Sequence, residues 1–122
     1  LIEGIAFGMF DNYLSLEKAN QNLDTLYVIG GGSQNDKWLE MIATLIQKKL
    51  TITEDSSSMA AFGAARIALI GNNNSNLNEV ISKPPIVKTI SPNFDKYEIL
   101  SKRFQLWKKI YETNKPLAPS LS

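Results

Sequence analysis

The residues of this chain that could do chemistry are few, and what is missing narrows the field first. No histidine and no cysteine occur among its 122 residues, so imidazole acid/base catalysis, thiolate nucleophiles, thiolate metal sites and disulfides are all excluded within it. The acidic candidates Asp11, Asp36, Glu54 and Asp55 each suit a surface or helix-cap position. No catalytic triad is present, and no carboxylate pair has a spacing that argues for acid/base work.

What remains is the run Gly30-Gly31-Gly32-Ser33-Gln34-Asn35-Asp36. Its glycines remove every side chain from the exit of a strand, which lets a ligand or another main chain approach the backbone and permits positive φ. Ser33 with Asp36 fits a capping box, so a helix is expected to begin there and to turn its first N–H groups back toward the glycines. Such N–H groups favour a polar or anionic ligand edge. The turn matches neither standard phosphate motif. No lysine followed by serine or threonine comes at the Walker spacing, and no later glycine completes the dinucleotide pattern.

Periodicity gives the elements that must hold this turn. Leu26-Tyr27-Val28-Ile29 reads as a strand buried on both faces, of the kind found in parallel sheets with helices on each side. In open α/β sheets ligands sit beyond the carboxyl ends of the strands, where the turn lies. Trp38, Met41, Ile42, Leu45 and Ile46 then form a helical stripe, with Lys48 and Lys49 in the last turn complementing the helix dipole. Leu50 followed by Thr51-Ile52-Thr53 reads as a second strand, so the unit is expected to be a right-handed parallel crossover. Glu54, Asp55 and the serines Ser56, Ser57 and Ser58 supply cap chemistry for a helix from Met59 to Ile70 that Gly71 terminates. Ala60, Ala61, Gly63, Ala64, Ala65 and Ala68 leave this helix without bulk on one flank, which suits close packing on a sheet or, as the alternative, direct contact with a ligand.

The outer elements follow the same logic. Ile2, Ile5, Ala6, Met9, Tyr13 and Leu16, widened by Phe7, Phe10 and Leu14, predict a core helix that is apolar on most sides. Gly4 and Gly8 would admit a close backbone neighbour on it. The run from Asn72 to Asn76 is a low-complexity loop, a short helix is expected through Leu77 to Ile81, and Ile86 to Ile90 reads as an edge strand. Ser91-Pro92 opens the last helix, where Tyr97, Leu100, Phe104, Trp107 and Tyr111 mark a face packed on the domain rather than a base-stacking surface. Residues 114–122 are rich in proline and serine and are expected to fray.

Charge is unevenly spread. Residues 1–47 carry six acids against two lysines, while 83–122 carry eight basic residues against three acids. Lys96, Lys102, Arg103, Lys108, Lys109 and Lys115 are interleaved with apolar residues at helical spacing, so they read as a solvated helix face and not as a nucleic-acid surface. The longest apolar run is far short of a membrane span, nothing at the start reads as a signal peptide, and a soluble, cytoplasmic protein is expected. The chain begins at Leu1 inside a helical pattern, which suggests an excerpt from a longer protein.

Taken together, Ile29-Gly30-Gly31-Gly32-Ser33 with Trp38 and Met41, followed by Ala60-Ala61-Phe62-Gly63-Ala64-Ala65-Arg66-Ile67-Ala68, resemble the C-terminal domain of the FGGY carbohydrate kinases. Glu3-Gly4-Ile5-Ala6-Phe7 matches the family's helix before the strand, and the aromatic final helix matches as well, so the resemblance spans nearly the whole chain. Phe10 stands where the family often has arginine, and Ser58 where it often has an acid. The resemblance implies an α/β fold that is part of an actin-like ATPase (ribonuclease H-like) domain, with a short parallel sheet flanked by helices. It implies ATP and Mg2+ as cofactors and phosphoryl transfer to a ketose, D-xylulose first. Rhamnulose, fuculose and gluconate stay open as alternatives, as does a noncatalytic interaction domain whose glycines serve packing only. It places Gly30, Gly31, Gly32, Ser33 and Asp36 against the nucleotide, leaves a homodimer open, and puts the catalytic aspartate and sugar site in an earlier part of the protein.

Overall fold

A computed structural model describes residues 1–19, 23, 25–71, 80 and 83–116. Its elements are α1 (Ile2–Lys18), β1 (Leu26–Val28), α2 (Asp36–Ile46), β2 (Leu50–Thr53), α3 (Met59–Gly71), β3 (Ile86–Ile90) and α4 (Tyr97–Asn114), with 3₁₀ turns at Gly31–Gln34, Ser56–Ser58 and Phe94–Lys96. The loop at 72–76, the short helix through 77–81 (Val80 apart) and the tail from 117 lie outside the described residues. Up to Asn114 the last helix is intact.

The sheet runs β1-β2-β3. β1 and β2 are parallel, with Leu26 opposite Leu50 and Val28 opposite Ile52, so the strand–helix–strand unit forms as expected. β3 is the expected edge strand and runs antiparallel, which makes the sheet mixed. β2, in the middle, is buried along its length. β1 is not. Among the described residues it has a strand neighbour on one side only, and Tyr27 is 49% exposed while Ile29 just beyond it is 58% exposed. The expected burial on both faces is therefore not met among the described residues: the Tyr27 face is open, because an apolar run shows that a strand wants cover without supplying it.

One core joins α1, α2 and α4 to Leu50, Ile52 and Ile90 of the sheet. Phe104 is its largest fully buried side chain. The Phe104 ring meets Phe10 edge-on at 4.8 Å between centroids and Phe7 at 5.8 Å, geometries that the aromatic quadrupole favours. Trp107 stacks beside Phe104 and Tyr111 beyond it, so the aromatic stripe of α4 packs on α1 as its spacing predicts. α1 itself is buried on one side only, through Ala6, Phe7, Phe10 and Tyr13, while Ile2, Ile5, Met9 and Leu16 face outward. Neither of its glycines is required by packing: a Cβ on Gly4 would make ordinary contact with Trp107, and one on Gly8 would meet nothing.

Two helix ends differ from expectation. α2 stops at Ile46, and Gln47 closes it in the left-handed conformation at φ 55°. Lys48 therefore lies past the helix and donates from Nζ to the Leu23 carbonyl at 2.8 Å. In α3, Gly71 remains helical and does not adopt a left-handed cap. The close packing expected of α3 is also not found among the described residues, none of which is buried on it, and Phe62, Ile67 and Leu69 are exposed.

The charge asymmetry becomes contact between distant parts of the chain. Arg103 pairs with Glu3 at 2.8 Å and Lys108 with Asp11 at 3.5 Å, tying α4 to α1, and Lys96 reaches Glu40 of α2 at 2.6 Å. Such exposed pairs contribute at most about 1 kcal/mol each, so they set orientation more than stability. Thr44 adds a buried tie between α2 and the approach to α4, donating to the Glu40 carbonyl at 2.6 Å and accepting from the Asn93 N–H at 3.0 Å. Among the described residues no helix is long and apolar enough to cross a membrane.

The hydrogen bond from Lys96 holds the Glu40 carboxyl below its ordinary value; burial opposes this, while the Lys96 charge and the Asn93 amide reinforce it. A carboxylate whose folded value is depressed adds stability above its unfolded value and loses it as pH falls through the folded one. Glu40→Gln is therefore expected to lower the melting temperature slightly at neutral pH. Thermal melts of both proteins should converge as the pH drops through the carboxylate range, and a gap that persists in acid would refute the assignment.

Candidate functional site

The turn after β1 is built from main-chain bonds. Gly30 sits at φ 89°, a conformation that L side chains rarely adopt, so a glycine is needed there. Its N–H donates to the Ser56 carbonyl at 2.7 Å. The chain then winds through a 3₁₀ turn in which the Ser33 N–H donates to the Gly30 carbonyl at 3.0 Å and the Asn35 N–H to the Gly32 carbonyl at 3.1 Å. This turn delays the start of α2. Asn35, not Ser33, is the N-cap, and its Oδ1 accepts the Trp38 N–H at 3.2 Å. Ser33 is instead buried, with its Oγ 2.9 Å from the Oγ of Ser56. The capping-box reading of Ser33 and Asp36 is thus corrected: a local pattern was matched, but the serine's partner comes from the next strand's exit.

The glycines differ in what holds them. A Cβ on Gly32 would lie 2.4 Å from Cζ3 of Trp38, so this glycine exists to let the indole pack under the turn. Gly31 has open space where a side chain would be. The N–H groups of Gly31 and Gly32 find no acceptor among the described residues. Two free donors beside an open glycine are what a polar or anionic ligand edge requires. Asp36 stands in the first turn of α2, but its carboxylate is engaged by Lys88 of β3, so a ligand at that point meets an ion pair and not a bare acid.

Two apolar cavities adjoin the end of β1, both lined in part by Tyr27 and Ile29. A cavity of about 350 Å³ is bounded by Met9, Tyr13, Val28, Gly32 and Trp38, and one of about 210 Å³ by Ile29, Thr53, Met59 and Pro84. Sequence reasoning missed three contributors: Trp38 as the reason for Gly32, Lys88 as the partner of Asp36, and Ser56 as the support of the turn. The last two join residues far apart in the chain, and no local pattern carries such pairings.

The fold, a mixed sheet with helices and a glycine turn at the carboxyl end of its first strand, is shared with solved sugar kinases of the actin-like ATPase fold. A xyloylose kinase from Brucella ovis has a solved structure that superposes with a TM-score of 0.78 and 31% identity, covering 95% of this chain and 24% of that one. A gluconate kinase from Lactobacillus acidophilus shares the fold at a TM-score of 0.71 and 24% identity, over 99% of this chain and 25% of that one. Residues 1–71 match the C-terminal domain of the FGGY family of carbohydrate kinases, and the chain belongs to that family. The xylulose kinase of Bacillus subtilis (strain 168) is 29% identical over 126 residues, 99% of this chain and 24% of that protein. The chain therefore spans about a quarter of the length of the curated relatives it matches.

Proposed function

We propose that this chain is the nucleotide-binding C-terminal part of a cytoplasmic, ATP-dependent sugar kinase that converts D-xylulose to D-xylulose 5-phosphate. The observation that carries the reading is that the N–H groups of Gly31 and Gly32 have no acceptor among the described residues, with open space beside Gly31, at a strand's carboxyl end. Family membership and the xylulose kinases among the relatives support the choice of reaction and sugar.

The turn suits adenosine: Gly30 and Ser33 are fixed by internal bonds, and Gly31 and Gly32 offer donors that need no rearrangement. ATP supplies the phosphoryl group, and this chain's part is to hold and orient the nucleotide, since phosphoryl transfer depends mainly on positioning and charge neutralisation. Mg2+ would accompany the nucleotide, as is usual for the family. Asp36, already paired with Lys88, serves best as a boundary of the site.

The test is ADP formation by the full-length parent. D-Xylulose is expected to drive it, with rhamnulose, fuculose and gluconate run in parallel, and residues 1–122 alone are expected to give none. Absence of turnover with every sugar would reject the kinase reading. The interaction-domain alternative is favoured if the full-length protein also fails to bind ATP with magnesium.

A further inference from the structure

The geometry points to Ser56 as a positioning residue that holds the glycine turn in its ligand-ready shape, an inference that rests on the nucleotide-binding reading above. Ser56 follows β2, 26 positions after Gly30 in the chain, and supplies the turn with two partners. Its carbonyl accepts the Gly30 N–H at 2.7 Å, and its hydroxyl lies 2.9 Å from that of Ser33, both hydroxyls being buried. Ser56 is in turn fixed by its own loop. Asp55 adopts the left-handed conformation at φ 54°, and its carbonyl accepts the Ser58 N–H at 2.8 Å, closing the 3₁₀ turn Ser56–Ser58.

The two turns therefore sit locked together at the carboxyl ends of neighbouring parallel strands. A run of three glycines has many backbone conformations, and ordering them on binding costs free energy. The Ser56 contacts hold one conformation in advance, with Gly30 at positive φ and the Gly31 and Gly32 N–H groups unclaimed. Preorganisation of this kind lowers the cost of binding and leaves the reacting groups untouched. Removing the Ser56 hydroxyl leaves the Ser33 Oγ buried without its partner, so the effect should pass through Ser33 to the turn.

The test is steady-state kinetics on the full-length parent carrying Ser56→Ala, Ser56→Thr, Ser33→Ala or both alanines, with melting temperatures for each. Ser56→Ala is expected to raise KM for ATP by about five- to tenfold, the worth of one buried hydrogen bond, with kcat and KM for D-xylulose within about twofold. Ser56→Thr keeps a hydroxyl and should restore most of the affinity. The double variant should be no worse than the more severe single one, because the two hydroxyls act as a unit. An unchanged KM for ATP in Ser56→Ala overturns the positioning role and leaves the nucleotide reading standing. A uniform loss in kcat, both KM values and melting temperature overturns it in favour of a purely structural role. If the wild-type parent neither binds nor uses ATP, both readings fall.

Discussion

Phe104→Ala is expected to destabilise the chain by about 3–5 kcal/mol, the usual cost of emptying a well-packed aromatic site. The residue is 2% exposed and is the largest fully buried side chain. Its ring is the meeting point of Phe7 and Phe10 from α1 with Trp107 of its own helix. No small shift can refill the space, because its neighbours are rigid rings on two helices. Against a total stability of about 5–15 kcal/mol for a domain, the loss is a large fraction. It should lower the melting temperature by roughly 10 °C or more. Tyr111→Ala, on the same stripe but 59% exposed, should change it far less. Circular-dichroism melts of the two variants decide the matter. Similar small shifts in both would mean that α4 is not held through this aromatic seam.

That seam was readable from spacing alone, since five aromatic and aliphatic positions at helical intervals leave one face for burial. The parallel pairing of β1 and β2 followed as directly, from two short apolar runs separated by one amphipathic helix. Pairings across the chain were not readable. Ser33 satisfied a capping pattern within four residues, yet its hydroxyl is claimed by Ser56, and Asn35 takes the cap. The acid-rich start and basic end suggested surface charge only. Folding brings Glu3, Asp11 and Glu40 against Arg103, Lys108 and Lys96, so the asymmetry is complementarity between segments. The small residues of α3 signalled a close neighbour, and the described part of the chain supplies none. A side-chain pattern records that a surface expects cover without recording what provides it.

Gly31 and Gly32 should separate packing from binding. Gly32→Ala places a methyl 2.4 Å from the Trp38 ring, which packs against the core and cannot swing away freely. Overpacking of this kind costs about 1–3 kcal/mol, so this variant should melt lower. Gly31→Leu meets no neighbour, and the backbone there does not need positive φ. As an exposed substitution it should move stability by less than about 0.5 kcal/mol. Yet its side chain fills the open space beside the two free N–H donors, where a nucleotide would lie. In the full-length parent, ATP affinity measured by calorimetry should fall by at least about tenfold, since a blocked donor edge loses both its hydrogen bonds and its shape fit. Stability and binding would then divide between adjacent glycines, Gly32 serving Trp38 and Gly31 serving the ligand. Should Gly31→Leu bind ATP like the wild type, the glycines serve packing alone and the nucleotide, if bound, sits elsewhere.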